Sequence, residues 1–283
     1  MKKYIFKFLR KFNFPGKWRL INLLRDNSIP VSVVVPYKNN TLISIKPAEL
    51  IGYEIYWNGG YENTVMWILD SILKKDGIAV DFGANIGVWS IVLAKKCSFV
   101  YCVEPHPSFR KNLLANLELN QFINFEILPF AVSQTESLTT LYAPPDTMMN
   151  KSASTVNLNS ELTEHISVES KRMDTIFSEL SRLDFIKIDC DGSDGDIILS
   201  GKDIISKHLP IILFEDLGGY NSAMGDVSII QKVDTDYNEA FIFLKNLRYR
   251  FFEVNDQHLV DSERVIGRFS IILAIPIRNS LWG

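Results

Sequence analysis

Four aspartates, Asp189, Asp191, Asp194 and Asp196, fall within eight residues in the stretch "FIKIDCDGSDGD", directly after an apolar run. Carboxylates so crowded repel one another unless a metal, a cationic ligand, a proton in transit or water uses them. A second set lies upstream. Asp81 ends the run "IAVDF", and Glu104 ends "FVYCVE" 23 residues later. Between them stand Gly83, Asn85 and Gly87, in the pattern D-x-G-x-N-x-G. The dinucleotide fingerprint G-x-G-x-x-G does not fit, because Asn85 and Val88 stand where its glycines belong. An acidic residue at the first position suits an ammonium group. A carboxylate at the end of the next strand suits the two hydroxyls of a ribose. The pair therefore predicts a nucleoside-bearing ligand.

These residues need elements that hold them. Residues 31–36 and 41–47 read as a β-hairpin around "YKNN", and 61–75 as a helix. Apolar strands then alternate with amphipathic helices: strands at 78–82, 99–104, 125–132, 183–189 and 210–216, helices at 88–96, 108–120, 173–180 and 196–207. The polar stretch 144–170 reads as a loop or excursion. Strands that are apolar throughout, separated by helices, make a parallel sheet covered on both faces. After a helix at 237–247, strands at 249–254 and 269–277 are joined by a loop too short for a parallel crossover, so they pair antiparallel. A doubly wound α/β sheet closed by an antiparallel hairpin is the Rossmann-like class I fold of the S-adenosylmethionine-dependent methyltransferases. Residues 1–60 are expected as a basic helix and hairpin extension, and 61–283 as the methyltransferase domain.

The composition narrows the partners. The first 25 residues carry eight Lys/Arg and no Asp/Glu, and the remainder carries 22 Lys/Arg against 33 Asp/Glu. An acidic body argues against nucleic acid, which needs clustered cations. The basic start spaces Ile5, Phe8, Leu9 and Phe12 as on a helix. That suits docking on the domain, the favoured reading, or peripheral contact of residues 1–25 with an anionic membrane surface. No apolar run is long enough to span a bilayer, and no signal-peptide core is present. Three cysteines without metal spacing fit reduced thiols, so a cytoplasmic setting is expected. Oligomeric state is not legible.

The chain also resembles the FkbM-type methyltransferases from about Ile51 to Glu215. "GYEIYWNGGYE", "VDFGANIGVWS", "VEPHP", "FAVSQTE", "MDTIF", "FIKIDCDGSD" and "PIILFE" are similar, in order, to that family's motifs. Asp191 and Asp194 stand where the family has glutamates, each one methylene shorter. The resemblance implies methyl transfer from S-adenosylmethionine, commonly to an oxygen of a sugar or glycan or another polar natural product. It implies a cofactor site of Asp81, Gly83, Ala84, Asn85, Gly87, Glu104 and Pro105, with His106, Phe130 and Ala131 bordering the adenine. Asp189 is the first choice for the base and Asp191 the second. Glu62, Lys187 and Glu215 are expected around the acceptor. Asp189, Asp191 and Glu215 or Asp216 would suit Mg²⁺ or Ca²⁺, but no metal is assigned. A calcium-loop pattern fails, since its glycine position holds Asp194 and its closing glutamate position Ser200. A non-catalytic binding module and a nucleotide-dependent oxidoreductase are the other classes. The intact Asp81–Glu104 set disfavours the first, the glycine spacing the second.

Overall fold

The computed structural model describes Arg19 and residues 30–143, 153–156, 164–216, 227–255, 258–262 and 270–277. The expected basic helix over residues 1–25 lies outside them apart from Arg19, as do 217–226 and most of 144–163.

Strands β1 (Val33–Pro36) and β2 (Leu42–Ile45) pair antiparallel as expected. Residues 61–75 form no continuous helix. Helix α1 (Leu50–Tyr53) runs into a π-helical turn, Glu54–Asn58, and two short turns follow, α2 (Asn63–Met66) and α3 (Leu69–Ile72). The alternating body then begins. It comprises β3 (Ile78–Phe82), α4 (Val88–Lys96), β4 (Phe99–Val103), α5 (Pro107–Leu119) and β5 (Phe125–Leu128). The expected third strand stops at Leu128, because Pro129 has no N–H to offer a ladder. Its continuation β6 (Ala131–Val132) joins β7 (Ser137–Ala143) and β8 (Glu164–Lys171) in a separate three-stranded sheet. The polar stretch is thus partly strand: β8 pairs with β7 from Ser137↔Ser170 to Ala143↔Glu164. Helix α6 (Met173–Ile176), β9 (Phe185–Ile188), α7 (Asp194–Ser200), α8 (Lys202–His208), β10 (Ile211–Asp216) and α9 (Val227–Asn246) follow. The chain closes with β11 (Tyr249–Asn255), β12 (His258–Asp261) and β13 (Ser270–Pro276).

The main sheet has the order β12-β11-β13-β10-β9-β3-β4-β5. Strands β3, β4, β5, β9 and β10 pair in parallel, and β13 runs antiparallel between β10 and β11. This is the expected doubly wound sheet with its antiparallel hairpin. The chain leaves β3 toward β4 and β5, then returns to β9 on the other side. The crevice between β3 and β9 is therefore the topological switch point, where ligands bind in such sheets.

The central strands β3, β9 and β10 are buried on both faces, so side-chain alternation assigns their residues to one of two cores. One face packs Ala79, Phe185 and Leu213 against Ile91, Leu113 and the hairpin residues Val35, Ile43 and Ile45. The other packs Val80, Phe82, Ile186, Ile188 and Phe214 against Ile198, Tyr237 and Leu244. The hairpin is fastened to α5 by amide side chains. Asn116 Nδ2 donates to the carbonyls of Ser44 (3.2 Å) and Ile86 (2.8 Å), and its Oδ1 accepts from Ser44 N–H at 2.7 Å.

Candidate active site

The loop after β3 is shaped by backbone geometry. Gly83, Asn85 and Gly87 all have left-handed backbones, with φ of +78°, +49° and +94°. Glycine adopts these angles freely and asparagine tolerates them better than most residues, which explains the alternating pattern. Two of the positions are also tight. A Cβ on Gly83 would meet the Asp189 carbonyl oxygen at 2.1 Å, and one on Gly87 would meet Leu113 Cδ1 at 2.9 Å. Register makes the first contact inevitable: Asp81 pairs with Lys187, so the next residue on that face, Gly83, lies beside Asp189.

The loop wraps around the end of β4. The N–H groups of Gly83 and Ala84 both donate to Val103 O, at 3.0 and 3.1 Å. Glu104 Oε2 accepts from Asn85 N–H at 2.8 Å and Oε1 from His106 N–H at 2.7 Å. Burial raises the Glu104 carboxyl to about 7 against the pull of those two N–H groups and Arg110. A carboxylate has further lone pairs beyond these two bonds, so Glu104 still has acceptor capacity toward the cleft.

That cleft runs along the strand ends. Its walls include Gly83, Asn85, Glu104 and Pro105, the apolar side chains of Phe109, Phe130 and Leu141, and Asp189 and Asp191. An apolar slot with one carboxylate at its edge suits a flat base joined to a diol, so the residues present fit an adenosine-bearing cofactor. Eight of the expected cofactor and catalytic residues line it: Gly83, Asn85, Glu104, Pro105, Phe130, Ala131, Asp189 and Asp191.

Four expected residues do not line the cleft. Asp81 is bonded to α4, its Oδ2 accepting from Ser90 Oγ at 2.6 Å; burial raises its carboxyl to about 6. Ala84 is buried and Gly87 packs on α5. His106 caps α5, its Nδ1 accepting from Ser108 N–H at 3.2 Å, and stacks on Phe109 at 4.1 Å between centroids.

The described part of the polar excursion borders the cleft. Ala153, Ser154 and Thr155 line it, and the Ser154 hydroxyl lies 3.1 Å from Asp191 O and 3.3 Å from Cys190 O. Thr155 Oγ1 meets Ser193 Oγ at 2.9 Å. The excursion thereby holds Asp191, itself in a left-handed conformation with φ +47°. A left-handed backbone at a residue other than glycine is uncommon and is held by its surroundings.

Across the sheet edge a second arrangement begins at Asp189. The pairing Lys187↔Leu213 places Asp189 beside Glu215 two residues on. Glu62 arrives from the N-terminal segment with φ +46°, and Trp89 Nε1 donates to its Oε2 at 2.7 Å. Glu62, Asp189 and Glu215 each offer an oxygen within 4.8 Å of the others. Lys187, 1% exposed, sends Nζ to 3.3 Å from Asp189 Oδ2. Burial raises the Glu62 and Glu215 carboxyls, with the Asp189 charge adding and Lys187 opposing. For Lys187 burial works downward, but Asp189, Glu62, Glu215 and Asp194 outweigh it and hold the ammonium.

The four crowded aspartates thus divide. Asp189 joins the carboxylate group and Asp191 lines the rim. Asp194 begins α7, two residues before the expected helix start. It is wholly buried, and its carboxyl accepts N–H bonds from Cys190 (3.3 Å) and Glu215 (3.2 Å), tying the ends of β9 and β10. Asp196 accepts from Gln134 Nε2 at 2.9 Å. Ser90, Trp89, Phe109 and Ser154 carried no sequence signal beyond their residue types.

A family model described as the methyltransferase FkbM domain matches residues 81–251. No curated protein matches the chain significantly. Solved structures of similar architecture include methyltransferase FkbM from Methylobacillus flagellatus KT, 16% identical, covering 71% of this chain and 44% of that one with a TM-score of 0.43. This chain therefore spans less than half the length of that protein. Another is SMU.1697c of Streptococcus mutans in complex with SAH, 10% identical, covering 77% and 99% at a TM-score of 0.45. A third is an rRNA methylase of Streptococcus thermophilus, 9% identical, covering 75% and 93% at 0.42.

Proposed function

The chain belongs to the FkbM methyltransferase family, and from that premise we propose that it methylates a hydroxyl oxygen of a sugar, in a glycan or a related polar natural product, with Asp189 as the base. The methyl donor of the family is S-adenosylmethionine. One observation carries the reading: Asp189 both lines the nucleoside-type cleft and belongs to the carboxylate group with Glu62 and Glu215. A donor held in the cleft and an acceptor held by the group would meet there.

Bound S-adenosylmethionine supplies an electrophilic methyl carbon on a sulfonium. Glu104 would hold the ribose hydroxyls, and Phe130, Ala131 and Phe109 the base. The loop from Gly83 to Asn85 would bound the methionine part. Asp81 acts one layer behind, keeping the β3 end in place through Ser90. Asp189 would take the hydroxyl proton as the oxygen–carbon bond forms and the carbon–sulfur bond breaks, a contribution of about 10²–10⁴-fold for a positioned base. Glu62 and Glu215 would bind neighbouring hydroxyls. Because burial favours their protonated forms, they are able to donate as well as accept, which matches the mixed donor and acceptor character of a polyol.

The charge of this wall supports a neutral acceptor. A phosphate backbone would face Glu62, Asp189, Asp191 and Glu215 with Lys187 as their close cation, the reverse of what polyanion binding needs. The test is incubation of the purified protein with deuterated-methyl S-adenosylmethionine and separate carbohydrate, RNA and small-molecule fractions. Label on a carbohydrate hydroxyl is expected. Label on RNA alone would sink the proposal.

A further inference from the structure

The group of Glu62, Asp189 and Glu215 raises the question of what neutralises it. Three oxygens within 4.8 Å of one another have the spacing and chemistry of a site for a hard divalent cation. A cation is already built in. Lys187 is 1% exposed, its Nζ stands 3.3 Å from Asp189 Oδ2 and 5.2 Å from the Trp89 ring centroid, and it donates to Ile188 O at 3.2 Å. Trp89 in turn donates to Glu62 at 2.7 Å. Lys187 is therefore enclosed by the same residues that frame the carboxylate group. On its other side, Asp81 is its register partner on β3.

A buried ammonium is costly without anionic partners, and so are crowded buried carboxylates without a cation. Each here answers the other's need. The lysine has a long stem rooted in a central strand, so its charge is delivered with little freedom, whereas a metal would have to be recruited from solution. We infer that the Lys187 ammonium is the resident cation of this pocket, supplying the positive charge a divalent metal would otherwise supply and positioning Asp189 against the cleft. This rests on the reading of Asp189 as the base, but its test needs neither methyl donor nor acceptor.

The test is a titration of the full-length protein with MnCl₂, followed by paramagnetic resonance and calorimetry. The wild-type protein is expected to show no Mn²⁺ site that Glu62→Gln abolishes. Lys187→Met is expected to gain one, and to lose it again when Glu62→Gln is added. The same variant should melt on the order of 10 °C lower, since removing one partner of a buried ion pair is strongly destabilising. Should Lys187→Met not fold, Lys187→Met with Asp189→Asn keeps the idea testable. Removing the partner carboxylate of the ion pair should then restore folding, which a mere packing role for the lysine would not produce. A wild-type Mn²⁺ site dependent on Glu62 would overturn the inference. So would a folded Lys187→Met that gains no Mn²⁺ site, or failure of Asp189→Asn to restore folding. S-adenosylhomocysteine binding by the same preparations reports separately on the methyltransferase reading, so the two ideas fail independently.

Discussion

Asp189 stands between two walls that are built on different principles. On one side, the cofactor-type cleft is made from backbone: three left-handed residues, N–H groups spent on Val103 and Glu104, and an apolar slot. On the other, the carboxylate group is made from side chains of three distant segments, gathered around one buried lysine. The first wall is local in sequence and depends on shape. The second is assembled by strand register and depends on charge balance. The difference predicts that the two sides respond to different perturbations, a shape change breaking one and a charge change the other.

The largest effect is expected at their meeting point. Asp189→Asn should lower methyl transfer by about 10²-fold or more, by analogy with loss of a positioned base, while S-adenosylhomocysteine affinity stays nearly unchanged. Full turnover at saturating donor would separate Asp189 from the chemistry.

Next comes a pure shape change. Gly83→Ala places a Cβ against the Asp189 carbonyl at a left-handed position. Backbone strain and overpacking together should cost about 3 kcal/mol in urea unfolding. A variant of unchanged stability would show that the β3–β9 contact is not as tight as described.

Glu104 tests whether the shape-built wall also carries a charge dependence. Below pH 4.5 its carboxyl is protonated folded or unfolded. Between pH 4.5 and about 7 only the folded protein keeps that proton, so stability falls as pH rises through this window and then levels. Glu104→Gln should flatten that fall by up to about 3 kcal/mol, seen in urea midpoints across the range. Separately, Glu104→Ala should weaken S-adenosylhomocysteine tenfold or more in calorimetry, as lost charged hydrogen bonds cost about 1.5–3 kcal/mol. Unchanged affinity would remove Glu104 from the cofactor site.

The smallest effect belongs to the edge of the charged wall. Trp89→Phe keeps the ring but removes the N–H that holds Glu62. A loss of about 1–2 kcal/mol is expected from the unmet buried carboxyl, with the cofactor affinity untouched. A change in affinity instead would mean the walls are not separable.

The same contrast explains what was legible in the sequence. Apolar runs bounded by helices mark β3, β4, β9 and β10 because strands buried on both faces have few residue types to choose from. The glycine and asparagine spacing exposes the cleft, since it follows from backbone angles within seven residues. The carboxylate group is different. No local pattern joins Glu62 to Asp189 and Glu215; register and a distant segment do, and only family resemblance brought Glu62 forward. The bond of Asp81 to Ser90 was not legible, because strand-end position does not say what the last side chain meets. The bond from Glu215 N–H to Asp194 depends on how β10 lies beside β9, which no local pattern shows. The sheet of β7 and β8 was hidden because the residues of β8 are polar and read as a loop.

The most direct measurement is a crystal structure with S-adenosylhomocysteine bound. The account predicts the ribose on Glu104, the base between Phe109 and the Phe130–Ala131 segment, and the sulfur facing Asp189 with open space toward Glu62 and Glu215. A nucleoside bound elsewhere, or a sulfur turned away from Asp189, would contradict it.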